Sequence, residues 1–358
     1  MVRVTCGSLS SRIPFPVGRG ASLLLARRLE ALARELRLDI LEAPEFGGLT
    51  AFLPRKSPRP FKIIVRLHTC SRLVKLSNDN PATSTKGAAA GLLIDGMEKR
   101  AIENADAVTS ISKWTTEETL RVHGLRRDGI AAIPNPVRAC FFESPRRGPF
   151  PIGADPVVLY VGRLEWRKGP DLLARAFAEI VKRVPWARLW FVGADTPTGP
   201  GGSSMRTYLR TLVAEDVVSR IGFMGELEPE DLPQFYAGAK VCVFPSRWEG
   251  FGIVSAEAMA SGKPVIVPRH SGFSEHISHL RNGVLIKESE PRALAEAVAG
   301  VLSNPSRAAD IGAAAKQYAL QHFKDSVVAD ANLRVYESVW GGKLPVRCVG
   351  PEPAMTES

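Results

Sequence analysis

Short apolar runs alternate along the chain with longer segments in which apolar residues recur every three or four positions. The short runs predict buried strands, and the longer segments predict helices with one apolar face. A repeated order of strand and helix is typical of a parallel sheet that is covered by helices on both faces. We therefore predict an α/β protein with two Rossmann-like, doubly wound domains.

The first half of the chain shows this alternation clearly. The pattern predicts strands at residues 1–7, 39–43, 62–68, 107–112 and 129–133. It predicts helices at residues 22–37 and 91–104, and another that ends by His123 and Gly124. Residues 69–87 are polar and are predicted as a loop. These elements predict an N-terminal domain over residues 1–148.

The second half is more regular. The pattern predicts strands at residues 157–161, 189–192, 221–224, 241–244, 264–267 and 284–286. Helices are predicted at residues 291–302, 306–322 and 327–340. Residues 142–156 are rich in proline and glycine and divide the two halves. We predict a second domain over residues 149–326 and a disordered tail over residues 341–358.

One strand-to-helix corner in the second half carries candidate chemistry. Gly250 and Gly252 flank Phe251 just before a helix that is predicted to start at Ile253. Backbone N–H groups at a helix N-terminus bind anions, and glycines permit close approach, so the corner could hold a phosphate. Glu249 and Glu257 could accept hydrogen bonds from sugar hydroxyls in the same cleft. A solvated Glu249 and a Glu257 that merely complements the helix dipole remain the alternative at this point.

Composition narrows the class of protein. The 358 residues carry a net charge of +10 and a pI near 9.6, which implies an anionic partner such as nucleic acid, a membrane face or a nucleotide diphosphate. The five cysteines are dispersed without a C-x-x-C pair, which fits a reducing compartment. No apolar run approaches the ~18 residues of a membrane span. We expect a cytoplasmic protein, with peripheral contact at the inner membrane face left open.

The corner resembles a known family motif. Glu249 and Glu257, with seven residues between them, surround G-F-G and continue into E-A-M-A-S-G-K-P-V-I. This pattern resembles the Glu-x7-Glu motif of family 4 (group 1) retaining glycosyltransferases, and the similarity runs from about residue 39 to residue 340. The resemblance implies a GT-B fold. It also implies transfer of a sugar from a nucleoside diphosphate donor to a hydroxyl acceptor, with retention of anomeric configuration.

A second motif follows the strand at residues 157–161. Gly162–Gly169 reads G-R-L-E-W-R-K-G, which resembles the family's G-R-L-x-x-x-K-G signature. The resemblance implies that Arg163 and Lys168 hold the donor diphosphate, with Gly162 beside it. Fixed cations stabilise the charge that builds on a leaving diphosphate. The segment lacks the Lys-Ser/Thr ending of a P-loop, so an ATPase is disfavoured.

The resemblance assigns weaker roles to further residues. His68 ends an apolar strand and is a candidate catalytic residue that contacts the donor sugar, although a histidine bonded to a nearby carbonyl is an equal alternative. The remaining donor-binding candidates are Ser112, Ile253 and Glu275.

The sequence also indicates which cofactors and partners the protein is not expected to have. No D-x-D pair occurs in the sequence, so we expect neither a metal nor another cofactor. The expected partners are a nucleotide-sugar donor and a polysaccharide, lipid-linked or small-molecule acceptor. Nucleic acid is not expected, because no recognition motif accompanies the positive charge.

The N-terminal region departs from the family pattern. Proteins of this family begin with a strand and a glycine-rich loop, and Met1–Gly7 resembles a later strand. We therefore expect the N-terminal domain to lack its first strand and glycine loop, and a catalytically impaired sugar-nucleotide binding protein is the alternative function. The family pattern also implies that the helix at residues 327–340 packs back on the N-terminal domain.

Overall fold

Two parallel β-sheets organise the chain in the computed structural model, which describes residues 19–53, 59, 61–78, 88–143, 155–287 and 290–342. The predicted strand at residues 1–7, most of the predicted tail and most of the predicted linker lie outside these residues. The prediction that the N-terminal domain lacks its first strand and glycine loop also concerns residues outside this set. The two sheets confirm the predicted α/β class with two Rossmann-like lobes.

The first lobe contains a four-stranded sheet in the order β1-β2-β3-β4. Its strands are β1 (Ile40–Pro44), β2 (Lys62–Leu67), β3 (Ala107–Ser110) and β4 (Ala131–Ala132). Its helices are α1 (Arg19–Glu35), α2 (Ser71–Asn78), α3 (Ala88–Asn104) and α4 (Lys113–His123). Buried aliphatic side chains such as Ile63, Val65 and Ile102 fill the space between sheet and helices.

Helix α2 corrects the prediction of a loop over residues 69–87. Its sequence S-R-L-V-K-L-S-N is polar overall, but Leu73 is buried and packs with Cys70, Val122 and Trp248. The helix has only two turns, its apolar residues are outnumbered by polar ones, and Leu76 is exposed, so the sequence pattern predicts a loop. The helix is therefore stabilised by tertiary packing rather than by its own propensity.

The second lobe contains a six-stranded sheet in the order β10-β9-β8-β5-β6-β7. Its strands are β5 (Val157–Val161), β6 (Arg188–Val192), β7 (Ile221–Gly225), β8 (Val241–Val243), β9 (Val265–Pro268) and β10 (Val284–Ile286). Its helices are α5 (Pro170–Arg183), α6 (Met205–Thr211), α7 (Glu215–Val218), α8 (Leu232–Gly238), α9 (Ile253–Ala260), α10 (Pro291–Leu302) and α11 (Pro305–His322). Apolar clusters cover both faces of the sheet.

The last helix, α12 (Asp325–Trp340), contacts the first lobe. The Tyr336 hydroxyl donates to Glu42 Oε2 at 2.6 Å, and Arg66 Nη1 donates to Asn332 Oδ1 at 3.0 Å. The chain thus returns to the first lobe after the second is complete. No helix in the described part of the chain combines the length and the apolar character that crossing a membrane requires.

Candidate active site

The order of strands in the second lobe fixes where a ligand can bind. β5 lies in the middle of the sheet, with β6 on one side and β8 on the other, so the strand order reverses between β5 and β8. Open α/β sheets bind ligands outside the carboxyl ends of their strands at such a reversal. The two loops that leave this point are Gly162–Gly169 after β5 and the corner Pro245–Gly252 after β8. They carry both sequence motifs.

An ion pair joins the two loops. Lys168 Nζ donates to Glu249 Oε2, and the two side chains are only 20% and 15% exposed. Burial raises the pKa of Glu249, but the charges of Lys168 and Arg167 outweigh it and hold the pKa below its ordinary value. Glu249 is therefore ionised at neutral pH. The structure brings together these two residues, which the sequence placed 81 positions apart.

A second group of charges surrounds Glu165. Arg163 Nη2 lies 2.8 Å from one Glu165 oxygen, and Arg167 Nη2 lies 2.7 Å from the other. The Arg167 side chain is buried and also donates to the Trp248 carbonyl at 3.2 Å, whereas the Arg163 side chain is 63% exposed. Glu165 thus holds one end of the Arg163 guanidinium, and the other N–H donors of that guanidinium face solvent. The motifs did not identify Glu165 and Arg167, because both lie at variable positions of the family signature.

Glu257 occupies a different environment. It lies in α9, is 9% exposed, and accepts a hydrogen bond from the Tyr236 hydroxyl at 3.0 Å. Burial raises the pKa of Glu257 to about 7. No hydrogen bond joins Glu257 to Glu249 or Lys168 among the described residues. The two motif carboxylates therefore have separate partners and opposite pKa shifts.

The glycines of the corner permit close contact between the lobes. A side chain at Gly250 would place its Cβ 2.8 Å from the His68 carbonyl oxygen, and the Gly250 carbonyl accepts hydrogen bonds from Ser112 Oγ at 2.6 Å and Thr115 Oγ1 at 3.0 Å. Gly252 directly precedes α9 as its N-cap, with a φ of 83°, which favours glycine. A carbonyl of the first lobe therefore already requires glycine at position 250, and the contact of Gly250 with a phosphate stays a prediction.

The side chain of Phe251 belongs to the core. It is 2% exposed and lies 5.6 to 5.7 Å, between ring centroids, from Phe273, His276 and Phe323. This burial leaves the backbone of Phe251 for the predicted contact with the donor phosphate, which stays a prediction. Ile253 is the first residue of α9 and is 37% exposed. Its side chain remains accessible, whereas the Ser255 N–H in the same turn already donates to the Gly252 carbonyl at 2.9 Å.

Two predicted donor-binding residues already have partners across the cleft. Ser112 Oγ accepts from the Thr115 N–H, which caps α4, while it donates to Gly250. Glu275 accepts from the backbone N–H groups of Lys113 at 3.1 Å and Trp114 at 2.6 Å. Both residues therefore join the second lobe to the N-terminus of α4. These hydrogen bonds cap a helix end, and the contacts of Ser112 and Glu275 with a donor stay predictions.

His68 follows the last residue of β2 and is held by its backbone. Its N–H donates to both carboxylate oxygens of the buried Glu45, each at 2.9 Å. Burial, with Arg66 nearby, lowers the pKa of His68 to about 4. The half-buried imidazole is therefore neutral at pH 7, and its carbonyl lies against the Gly250 corner.

Gly162 lies at the carboxyl end of β5 and extends its pairing with β6. Its N–H donates to the Val192 carbonyl at 2.8 Å, and a Cβ on the neighbouring Gly193 would lie 2.1 Å from the Gly162 oxygen. The loop after β5 can therefore pack directly against the end of β6, which sets the direction in which Arg163 leaves the sheet.

Two family models match the chain. The model of group 1 glycosyl transferases matches residues 145–318, and that of glycosyltransferase family 4 matches residues 7–139. The D-inositol 3-phosphate glycosyltransferase 2 of Catenulispora acidiphila is 32% identical over 247 residues, which are 67% of this chain and 57% of the relative. The chain spans 57% to 65% of the length of this relative and of two further inositol 3-phosphate glycosyltransferases.

Solved structures share the fold. A sucrose-phosphate synthase from Thermosynechococcus elongatus superposes with a TM-score of 0.72 at 24% identity, covering 90% of this chain and 79% of that chain. Anabaena HepE in complex with UDP superposes with a TM-score of 0.68 at 19% identity, covering 87% and 82%. These structures show the GT-B fold. The two family models and the inositol 3-phosphate glycosyltransferase relatives show that the chain belongs to the group 1, family 4 glycosyltransferases.

Proposed function

We propose that this chain transfers a sugar from a nucleoside diphosphate donor to a hydroxyl acceptor, with retention of anomeric configuration. The observation that carries the proposal is the partly buried Lys168–Glu249 ion pair at the strand-order reversal of the second sheet. It places a fixed cation and a fixed carboxylate beside the N-terminus of α9. Such a site suits a ligand that has both phosphates and sugar hydroxyls.

The cations would stabilise the leaving group. When the sugar–phosphate bond breaks, negative charge builds on the diphosphate, and preorganised donors at that position lower the barrier. Lys168 has three N–H donors, so donation to Glu249 leaves two for phosphate oxygens. Arg163 offers the exposed part of its guanidinium. We propose that these groups do the work for which other sugar transferases use a divalent ion.

The two carboxylates would hold different parts of the donor. Glu249 is ionised and would accept hydrogen bonds from sugar hydroxyls. Glu257 lies deeper, and because its pKa is about 7 it can either donate to or accept from a ribose hydroxyl. The backbone N–H groups at the start of α9 would bind phosphate oxygens.

The acceptor would approach from the first lobe, where His68 lies. Its neutral imidazole can donate one hydrogen bond and accept another, which suits contact with a hydroxyl group. In the retaining reaction that we propose, the acceptor attacks from the face that the diphosphate leaves, and a departing phosphate oxygen takes the acceptor proton. The sugar passes to the acceptor oxygen, and the nucleoside diphosphate is released.

The relatives support this class of donor. Anabaena HepE has been solved with UDP and with UDP-glucose, and another relative is named a GDP-mannose-dependent mannosyltransferase. We propose a nucleoside diphosphate sugar here without choosing its base or sugar, because donor preference depends on a few loop contacts. We also propose a cytoplasmic location, which the free thiols of Cys70, Cys140 and Cys242 support.

The test is donor turnover across UDP-, GDP- and ADP-sugars, measured with the wild type, Lys168→Ala and the matched surface variant Lys182→Ala. Lys182 pairs with Glu179 on an exposed helix face, so its loss should leave turnover unchanged. We expect Lys168→Ala to lower turnover roughly 10²- to 10³-fold. Wild-type binding of a donor without any turnover would instead favour the sugar-nucleotide binding protein, and equal turnover by both variants would refute the site.

A further inference from the structure

Three potential metal ligands meet in the first lobe, away from the two sequence motifs. Cys70, Glu98 and His123 each offer one atom, and these atoms lie within 4.8 Å of one another. All three residues are buried. Cys70 precedes α2, Glu98 lies in α3, and His123 ends α4, so the cluster joins three helices.

The histidine of this cluster lacks the partners that buried polar groups require. The His123 side chain is 0% exposed, and neither of its ring nitrogens has a hydrogen-bond partner within the described residues. Buried polar side chains nearly always have a partner, so an unpaired imidazole needs an explanation. Its Nε2 points towards the cluster and lies 3.9 Å from Glu98 Oε2.

The other side of the imidazole faces a carboxylate. Asp95 Oδ1 lies 3.3 Å from His123 Nδ1. In metal sites a ligating histidine usually presents its second nitrogen to a carboxylate, which orients the ring and fixes its tautomer. Asp95 therefore lies where an outer-shell carboxylate would lie, although its Oδ1 and His123 Nδ1 are not aligned as a hydrogen bond, and Nε2 is the nitrogen that lies 3.9 Å from Glu98 Oε2.

Glu98 is also held in position. Ser71 donates to it through its backbone N–H and its hydroxyl, and the Gly47 N–H donates to Oε1 at 3.0 Å. The Ser71 N–H is shared between the two oxygens, at 3.1 Å from Oε1 and 3.0 Å from Oε2, and Oε2 is the oxygen that lies 3.9 Å from His123 Nε2. These hydrogen bonds fix the carboxylate before any ligand arrives.

We propose that Cys70 Sγ, Glu98 Oε2 and His123 Nε2 bind one zinc ion. One sulfur, one nitrogen and one oxygen donor form a set that suits Zn²⁺. Zinc–ligand bonds of ~2.0–2.3 Å place tetrahedral ligand atoms about 3.5 Å apart, so the three atoms need to close by only about 1 Å. On binding, the Cys70 thiol releases its proton to solvent and becomes a thiolate.

The ion would stabilise the part of the first lobe that faces the cleft. Cys70 follows His68 by two residues, and it packs with Leu73, Val122 and Trp248 in one apolar cluster. Trp248 directly precedes Glu249 in the corner of the second lobe. Zinc would therefore fix α2, α3 and α4 behind the His68 loop without contacting the diphosphate cations.

The test is metal binding by the full chain, which is first stripped of metal with a chelator and then supplied with zinc or cobalt. We expect one zinc ion per chain by elemental analysis, and cobalt substitution should give the intense near-ultraviolet band of thiolate-to-cobalt charge transfer. Asp95→Asn should weaken zinc binding roughly 10- to 100-fold, because it removes the partner that orients His123. Cys70→Ala and His123→Gln should abolish the stoichiometric site.

Cys140→Ser is the matched control, because Cys140 is a free thiol far from the cluster in sequence and outside the ligand set. It should bind zinc as the wild type does. If Cys70→Ala fails to fold, the cobalt band of the wild type and the affinity of Asp95→Asn still decide. Absence of that band in the folded wild type, or zinc binding that is unchanged in Asp95→Asn, would overturn the proposal.

Discussion

Glu249 and Glu257 belong to one sequence motif but lie in regions of opposite character. The region around Glu249 is a loop corner in which Lys168 and Arg167 keep the carboxylate ionised. The region around Glu257 is a helix interior in which burial brings the pKa to about 7 and Tyr236 is the hydrogen-bond partner. A motif therefore fixes the positions of two acids, while the residues packed around them fix their charge.

The opposite charge states of Glu249 and Glu257 also predict different effects when either side chain is replaced. Breaking the Lys168–Glu249 pair would leave a charge with little solvent around it, which is costly. Replacing Glu257 by a neutral residue should cost little at low pH, because the native acid is then protonated. Variants at the two positions should therefore differ in both size and pH dependence.

The largest effect is expected for Glu249→Gln. The amide keeps the shape but removes the charge that positions Lys168, so we expect a roughly 10²- to 10³-fold loss of donor turnover. Glu179→Gln, which breaks an exposed pair with Lys182, should change turnover by less than about twofold. Turnover by Glu249→Gln at the wild-type level would mean that the ion pair does not serve the reaction.

The next effect is the pH dependence of stability at Glu257. The folded pKa of about 7 exceeds the usual 4.5, so the native state binds the extra proton between these values. The contribution of Glu257 is thus fully present below pH 4.5 and is lost as the pH rises through 7. Relative to Glu257→Gln, the wild type should lose up to about 3 kcal/mol of unfolding free energy over this window.

Urea unfolding at several pH values measures this difference. Glu249→Gln provides the opposite case, because the lowered pKa of Glu249 gives stability above the usual pKa that is lost as the pH falls through the folded value. A difference between wild type and Glu257→Gln that stays flat from pH 4.5 to 8 would contradict the assigned environment.

A smaller effect is expected for Tyr236→Phe. The change removes the hydroxyl that donates to Glu257 Oε2 and leaves a buried acceptor without that partner. We expect a loss of about 1–2 kcal/mol in unfolding free energy and a further rise in the pKa of Glu257. Tyr208→Phe is the control, since its hydroxyl lies at an exposed site beside Arg175. Equal stability of the two variants would show that the Tyr236 hydroxyl is not needed.

The smallest effect is expected for Glu275→Ala at the contact between lobes. This carboxylate accepts from two N–H groups at the start of α4, so its loss should cost about 1 kcal/mol. Glu290→Ala is a close control, because Glu290 precedes α10 but makes no capping hydrogen bond through its side chain. Thermal unfolding compares the two, and an equal change in both would argue against a capping role for Glu275.

Much of the fold was predictable because strands and helices repeat a local pattern. The strand at Val157–Val161 and the helix at Pro291–Leu302 have the predicted bounds, and most others agree within a few residues. The sequence analysis assigned Lys168 and Glu249 to the same donor but did not predict their ion pair, which forms because both residues follow parallel strands whose carboxyl ends share one edge.

The rest depends on contacts that no local pattern contains. Glu275 caps a helix that begins more than 160 positions earlier, and Gly250 is required by a carbonyl of the other lobe. Cys70, Glu98 and His123 are too far apart in sequence to show the spacing of a metal site. The charge state of Glu257 likewise arises from the packing around α9. The Glu-x7-Glu motif contains no information about this charge state.

The most direct measurement is a carbon-13 NMR pH titration of labelled glutamate carboxylates, with Glu249→Gln and Glu257→Gln for assignment, before and after adding the nucleoside diphosphate of the preferred donor. We expect the pKa of Glu249 to lie below 4.5 and that of Glu257 near 7, and we expect the nucleotide to shift both resonances. Ordinary titration of both carboxylates, with no response to any nucleoside diphosphate, would contradict it.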